Sequence, residues 1–207
     1  MNKLNLIFLV IVIIIGLLVT FRENKRDSID IELKETSVIL AFGDSLTYGF
    51  GAETQFSYPS QMQSKTGIHV INAGINGERS FEGLQRLPKL LQHQPDLVIL
   101  CHGGNDILNK TPVAELKNNL LAMIKLIQES GAKVLLVGVP NFSLVTFNTY
   151  DIYEEVADET GVLFEDDILS HIETNRSLKS DYVHPNAKGY EAMANAFIQI
   201  LNIKLDK

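Results

Sequence analysis

Short apolar runs rich in β-branched residues recur along this chain, separated by helix-patterned stretches, and that alternation limits the folds open to it. Val38–Phe42, His69–Asn72, Leu97–Cys101 and Val134–Val139 read as strands buried on both faces, with Val162–Phe164 as a fifth. Tyr58–Lys65, Ser80–Leu91, Pro112–Ser130 and Tyr150–Thr160 lie between or after them as helices, and a last helix is expected over Ala187–Leu201. Thr111 reads as a cap with Pro112 at the first helical position, and Gly131 as the stop of that helix. Pro88 is expected to shorten or kink its own helix. Such alternation implies a parallel sheet covered by helices on both faces, with ligands held at the carboxyl ends of the strands.

The first residues follow a different pattern. Leu6–Phe21 carries no charge over 16 residues and is flanked by Lys3 on one side and by Arg22, Glu23, Lys25 and Arg26 on the other. At about 1.5 Å per residue such a helix reaches roughly 24 Å, a little short of a hydrocarbon core of about 30 Å. Leu18-Val19-Thr20-Phe21 offers none of the small residues that a signal peptidase prefers, so an uncleaved anchor is expected over residues 1–21. A cleaved, secreted form is the alternative. The charges on either side leave orientation open. Polar residues 22–36 read as a linker and residues 37–207 as one domain, exported and held at a membrane outside the cytoplasm.

A net charge of −7 without any basic stripe argues against a nucleic-acid partner. Cys101, the single cysteine, closes an apolar run and reads as a buried strand residue. The five histidines show no metal-ligand spacing, so no metal is expected.

Four short runs carry the chemistry. Phe42-Gly43-Asp44-Ser45-Leu46 and Asp181-Tyr182-Val183-His184-Pro185 supply a hydroxyl, an imidazole and a carboxylate. A serine is a poor nucleophile until a base takes its proton, and an imidazole serves best when a carboxylate orients it. Asp181 and His184 stand three residues apart, so one tight turn places both side chains on the same side. Asn72-Ala73-Gly74-Ile75-Asn76-Gly77-Glu78 and Gly103-Gly104-Asn105-Asp106 offer backbone and amide donors for an oxyanion. Ser45, Gly77 and Asn105 follow the first three strands, and therefore collect at one edge of the sheet.

Each run also has a plainer explanation. Ser45 suits a helix cap, Gly74 and Gly77 suit turns, and Asn105-Asp106 suits a loop. His184 and Asp181 suit a surface turn, and His102 suits either substrate contact or packing at a strand end. The loops Ile107–Thr111 and Asn141–Thr149 hold Ile107, Leu108, Phe142 and Leu144, which are expected to line an acyl pocket or else to cover the core.

Together, in this order, the runs resemble the SGNH, or GDSL, family of serine hydrolases, in particular its bacterial arylesterase and thioesterase I–lysophospholipase L1-like branch. The matching pieces are Gly43-Asp44-Ser45, Asn72–Gly77, Gly83–Leu87, Gln94-Pro95-Asp96, Gly103–Asp106 and Asp181–His184, and the likeness runs from Ser37 to Leu201. It implies a three-layer α/β/α flavodoxin-like fold and a Ser45-His184-Asp181 triad. The implied oxyanion hole consists of Ser45, Gly77 and Asn105, with Gly77 matching the branch's spacing better than Gly74. The implied reaction is hydrolysis of acyl esters or thioesters through an acyl-enzyme, and needs no cofactor. A carbohydrate O-acetylesterase of the cell envelope and an inactive relative that binds acylated ligands are the competing functions.

Overall fold

The chain divides into two units, residues 1–30 and 31–207, and the computed structural model describes residues 31–141 and 149–203. The anchor expected over Leu6–Phe21 lies outside the described residues. Among them, no helix is long and apolar enough to cross a membrane.

Five parallel strands form one sheet in the order β2-β1-β3-β4-β5, where β1 is Val38–Gly43, β2 His69–Gly74, β3 Leu97–Cys101, β4 Lys133–Val137 and β5 Leu163–Glu165. This is the order of flavodoxin-like doubly wound sheets, with the switch point between β1 and β3. Every residue of β3 is buried, as its unbroken Leu-Val-Ile-Leu-Cys run requires for a central parallel strand. By contrast β2 has a single buried residue, Val70, because it forms the sheet's edge and one side lacks a neighbour.

Helices cover both faces. On one side α2 (Tyr58–Thr66) packs on α8 (Ala187–Ile200), which also meets α7 (Ile168–Thr174). On the other, α3 (Ser80–Leu90) packs on α5 (Val113–Glu129), and α5 on α6 (Asp151–Thr160). The buried stripe of α5 is Leu116, Leu120, Met123, Ile124 and Ile127, the spacing of one helical face. Truncating one such side chain to alanine costs about 2–5 kcal/mol.

Several local expectations change. Pro112 is the cap of α5 rather than its first residue, with an extended ψ of 131°. Pro88 stands inside α3, which runs on through Leu90 into a short 3₁₀ turn at Leu91–His93. Its missing N–H removes one bond from the ladder, and the helix nevertheless continues for two residues beyond it. Two further short helices are α1 (Ser45–Tyr48), following the strand end where a helix could begin, and α4 (Gly104–Leu108), where a loop was expected.

Register places the chemistry. Gly43, the last residue of β1, pairs with Gly74 of β2 and with Cys101 of β3. Three strands therefore end level, and the segments that carry Ser45, Gly77 and Asn105 leave the sheet at one height beside the switch point.

Candidate active site

The turn from β1 into α1 leaves no room for a side chain at Gly43. A Cβ there would lie 2.1 Å from the Cys101 carbonyl oxygen and 2.4 Å from Thr47 Oγ1. Asp44, not Ser45, caps α1: its Oδ1 accepts from the Leu46 N–H at 3.0 Å. Ser45 is the first helical residue, so the cap explanation of this serine does not hold. Asp44 is buried, and burial pushes its carboxyl above the ordinary range, against the opposing pull of His102, the Leu46 N–H, His184 and Asn105.

Asp181 and His184 form a hook at the other end of the chain. Lys179 and Pro185 close its base as an antiparallel bridge, and the Ser180 N–H donates to the His184 carbonyl at 2.9 Å. Asp181 Oδ1 accepts from the main-chain N–H groups of Val183 (2.9 Å) and His184 (2.8 Å), while its Oδ2 lies 2.8 Å from His184 Nδ1. Burial raises the Asp181 carboxyl, but those two N–H groups and the imidazole outweigh it and hold the group below its usual value. An ionised carboxylate only accepts, so Nδ1 carries the proton and Nε2 is left as an acceptor. His184 Nε2 lies 3.1 Å from Ser45 Oγ. The imidazole is braced by Phe50, whose ring centre is 4.5 Å away.

The candidate donors differ in how they are engaged. The Gly74 N–H is taken by Asn72 Oδ1 at 3.0 Å, and a Cβ on Gly74 would sit 2.1 Å from the Tyr48 nitrogen. Gly77 adopts φ +77°, and neither its N–H nor that of Ser45 has an acceptor among the described residues. Asn105 stands in α4, with its Nδ2 donating to Asp44 Oδ2 at 3.2 Å and to the Glu78 carbonyl at 3.1 Å. Asp106 faces the core instead. Its two oxygens accept from the Ser80 N–H (2.8 Å) and hydroxyl (2.7 Å), tying α4 to the start of α3.

Sequence reasoning passed over the charges beneath this floor. Glu78 is buried, with Arg86 donating to both its oxygens at 2.6 Å and His102 Nε2 at 3.0 Å. Burial raises the Glu78 carboxyl, yet the His102 and Arg86 hydrogen bonds bring it below its usual value. His102 is fully buried and its Nδ1 meets no partner, so the alternative of substrate contact gives way to packing under Phe42. Spacing signals none of this, because Glu78, Arg86 and His102 come from three separate segments.

Of the expected pocket residues, Ile107 is half-buried and Leu108 is 51 % exposed, both in α4 rather than in a loop. Phe142 and Leu144 lie outside the described residues. Among the described residues, no group of three or more His, Cys, Asp or Glu side chains is arranged to hold a metal ion.

Comparison with known proteins places the chain in a family. The model of the GDSL-like Lipase/Acylhydrolase family matches residues 41–192. An arylesterase of Vibrio mimicus is 34 % identical over 174 residues, covering 79 % of this chain and 87 % of the relative. Thioesterase 1/protease 1/lysophospholipase L1 of Escherichia coli (strain K12) is 30 % identical over 179 residues, covering 82 % and 80 %. The crystal structure of the psychrotrophic esterase EstA from Pseudoalteromonas sp., inhibited by monoethylphosphonate, superposes with a TM-score of 0.72 at 26 % identity, over 80 % of this chain and 97 % of that one. The chain belongs to the SGNH, or GDSL-like lipase/acylhydrolase, family and is a serine hydrolase acting on ester bonds.

Proposed function

We propose that Ser45 is the nucleophile of this esterase, His184 its general base, and Asp181 the group that orients His184. The observation that carries the reading is the unbroken relay of Asp181 Oδ2, His184 Nδ1, His184 Nε2 and Ser45 Oγ, with steps of 2.8 and 3.1 Å. His184 Nε2 takes the Ser45 proton as Oγ bonds to the acyl carbon, and the carbonyl electron pair moves to oxygen. The unclaimed N–H groups of Ser45 and Gly77 receive that oxyanion, joined by the Asn105 amide once it releases one of its present acceptors. Each such donor is worth about 10²–10³ in turnover. As the tetrahedral adduct collapses, His184 returns the proton to the departing alkoxide or thiolate. Water then attacks the acyl-enzyme, with His184 again as base, releasing the acid and restoring Ser45.

Acyl esters and thioesters are the proposed substrates, supported by the relatives named arylesterase and thioesterase 1/lysophospholipase L1. Exposed apolar side chains near the site support an acyl group beyond acetate, namely Tyr48, Ile75, Phe81 and Leu108; Phe142 and Leu144 are proposed to complete that wall. Residues 1–21 are proposed to hold the enzyme at a membrane outside the cytoplasm, residues 22–36 to link, and residues 37–207 to form the catalytic domain. The uncharged run Leu6–Phe21 supports that arrangement.

Labelling with a fluorophosphonate, with kinetics on p-nitrophenyl esters from acetyl to octanoyl, tests the reading. The wild type is expected to label at Ser45 and to prefer longer chains, since each buried methylene contributes about 0.8 kcal/mol. Ser45→Ala should fold normally and lose both labelling and turnover. A mutant that keeps more than a few per cent of activity refutes the assignment, and a falling series from acetyl to octanoyl favours an O-acetylesterase.

A further inference from the structure

Arg86 is placed where three segments of the active site can be reached by one side chain. It comes from the middle of α3 and lies over the Phe42 ring, 4.3 Å from its centre. Its Nη2 donates to the carbonyl of Gly43, at the end of β1, at 3.2 Å, and to that of Ala73, near the end of β2, at 2.8 Å. The same group holds both oxygens of Glu78, at 2.6 Å through Nε and 2.6 Å through Nη2. Glu78 in turn presents its main-chain carbonyl to the Asn105 amide at 3.1 Å. Gly83 makes the arrangement possible, because a Cβ there would lie 2.4 Å from His102 Nε2, the second partner of the Glu78 carboxylate.

From this we infer that Arg86 is a positioning residue for the oxyanion hole. It fixes the strand end before Ser45, the segment around Gly77 and the Asn105 amide relative to one another, without touching substrate itself. The inference rests on the proposed roles of Ser45, Gly77 and Asn105. Only a guanidinium can do this. Its planar fork serves both carboxylate oxygens through Nε and one Nη2 hydrogen, and the other Nη2 hydrogen is shared between the Ala73 and Gly43 carbonyls, whereas a lysine ammonium is a point donor. Donors that drift by about 1 Å in such a site cost on the order of 10² in rate. The loss falls on turnover, because the hole is filled by charge that appears only in the transition state.

Arg86 also lines an open depression of about 600 Å³, together with Ile75, Lys89, Leu90, Gln92 and His93. A guanidinium ion from solution can therefore reach the space that a truncated Arg86 leaves. The test compares the wild-type protein with Arg86→Ala and Arg86→Lys, measuring thermal unfolding, kcat, KM and fluorophosphonate labelling rate. Millimolar guanidinium, far below denaturing levels, is then added to each. The expected result for Arg86→Ala is a kcat lowered about 100-fold, with KM within threefold and the labelling rate falling in step with kcat. Guanidinium should restore kcat at least fivefold in that variant and leave the wild type unchanged, while Arg86→Lys remains well below wild type. A folded Arg86→Ala protein with near-wild-type kcat, a loss confined to KM, or no response to guanidinium overturns the inference. Should Arg86→Ala fail to fold, the double variant Arg86→Met/Glu78→Gln removes both charges together; wild-type kcat in it overturns the inference and a depressed kcat at unchanged KM supports it. Loss of the proposed function is a separate result: a wild type that does not label, or an active Ser45→Ala, refutes the triad, whereas normal Ser45-dependent labelling with unaffected Arg86 variants refutes only the positioning role.

Discussion

Replacing Asp181 by asparagine tests the relay most sharply, because the change keeps the hook and reverses the hydrogen bond. Asparagine retains an oxygen for the Val183 and His184 N–H groups, now at 2.9 and 2.8 Å, so the turn survives. Its NH2 group then faces His184 Nδ1, where Oδ2 now stands at 2.8 Å. Two donors cannot share that space, so Nδ1 gives up its hydrogen and Nε2 keeps one, which removes the acceptor for Ser45. The lost charge adds to this. A carboxylate and an imidazolium about 4 Å apart interact by about 1 kcal/mol in water and about 4 kcal/mol at an effective dielectric of 20. The Asp181 side chain is 45 % exposed, which places the term in the lower half of that range. That corresponds to roughly 5- to 70-fold in rate, at 1.36 kcal/mol per decade. With the reversed tautomer, the total expected for Asp181→Asn is about 10³–10⁴-fold in kcat/KM on p-nitrophenyl butyrate, with thermal unfolding almost unchanged. Asp181→Ala loses the charge but not the tautomer, since water reaches the exposed turn, and should therefore be more active than Asp181→Asn. An asparagine variant within tenfold of wild type would refute the relay.

Asp181 is held below the ordinary carboxyl value of 3.8, so it stays ionised above that pH. Titration of its carboxyl followed by NMR is expected to show no protonation above that pH, and protonation there would contradict this. Gly77→Ala meets open space but must hold φ +77°, so stability should fall by about 1 kcal/mol while kcat drops at least tenfold as the N–H turns away; equal kcat would assign the donor elsewhere. Tyr153→Phe removes a buried hydrogen bond of 2.8 Å to the His102 carbonyl, lowering stability by about 1–2 kcal/mol in urea unfolding without changing kcat. A change in kcat beyond twofold would connect that tyrosine to the site.

Periodicity and composition make the central strands readable, because β1, β3 and β4 are buried on both faces and their apolar runs are unbroken. The edge strand β2 is less so: its Asn72-Ala73-Gly74 end is polar and open, and the expected strand stops two residues short of the observed one. The triad candidates are legible through chemistry, since a Gly-Asp-Ser turn and an Asp-X-X-His turn each declare a reactive group locally. What spacing does not carry is the support for them. Asp106 as the tie between α4 and α3, and Arg86 under the oxyanion segment, act across the fold, over separations of 26 residues for Asp106–Ser80 and 43 for Arg86–Gly43. A buried charge in a sequence looks the same as a solvated one. Only the closing of the sheet reveals which it is.

The hook from Lys179 to Pro185 carries both acid and base on a closed span whose internal distances are set by its own backbone. Asn186 secures it by donating to the Ser177 and Lys179 carbonyls at 2.9 and 3.1 Å, while its side-chain oxygen caps α8. Errors in the rest of the molecule therefore cannot detune the acid from the base. They act on one coordinate, the 3.1 Å gap between His184 and a serine 139 residues away. Such a layout behaves like a plug and socket: the dyad arrives already assembled, and how well α8 seats against α2 sets whether it meets the nucleophile. Substitutions far from any reacting atom, in that helix pair, should then scale the fraction of competent molecules without altering how each competent one reacts.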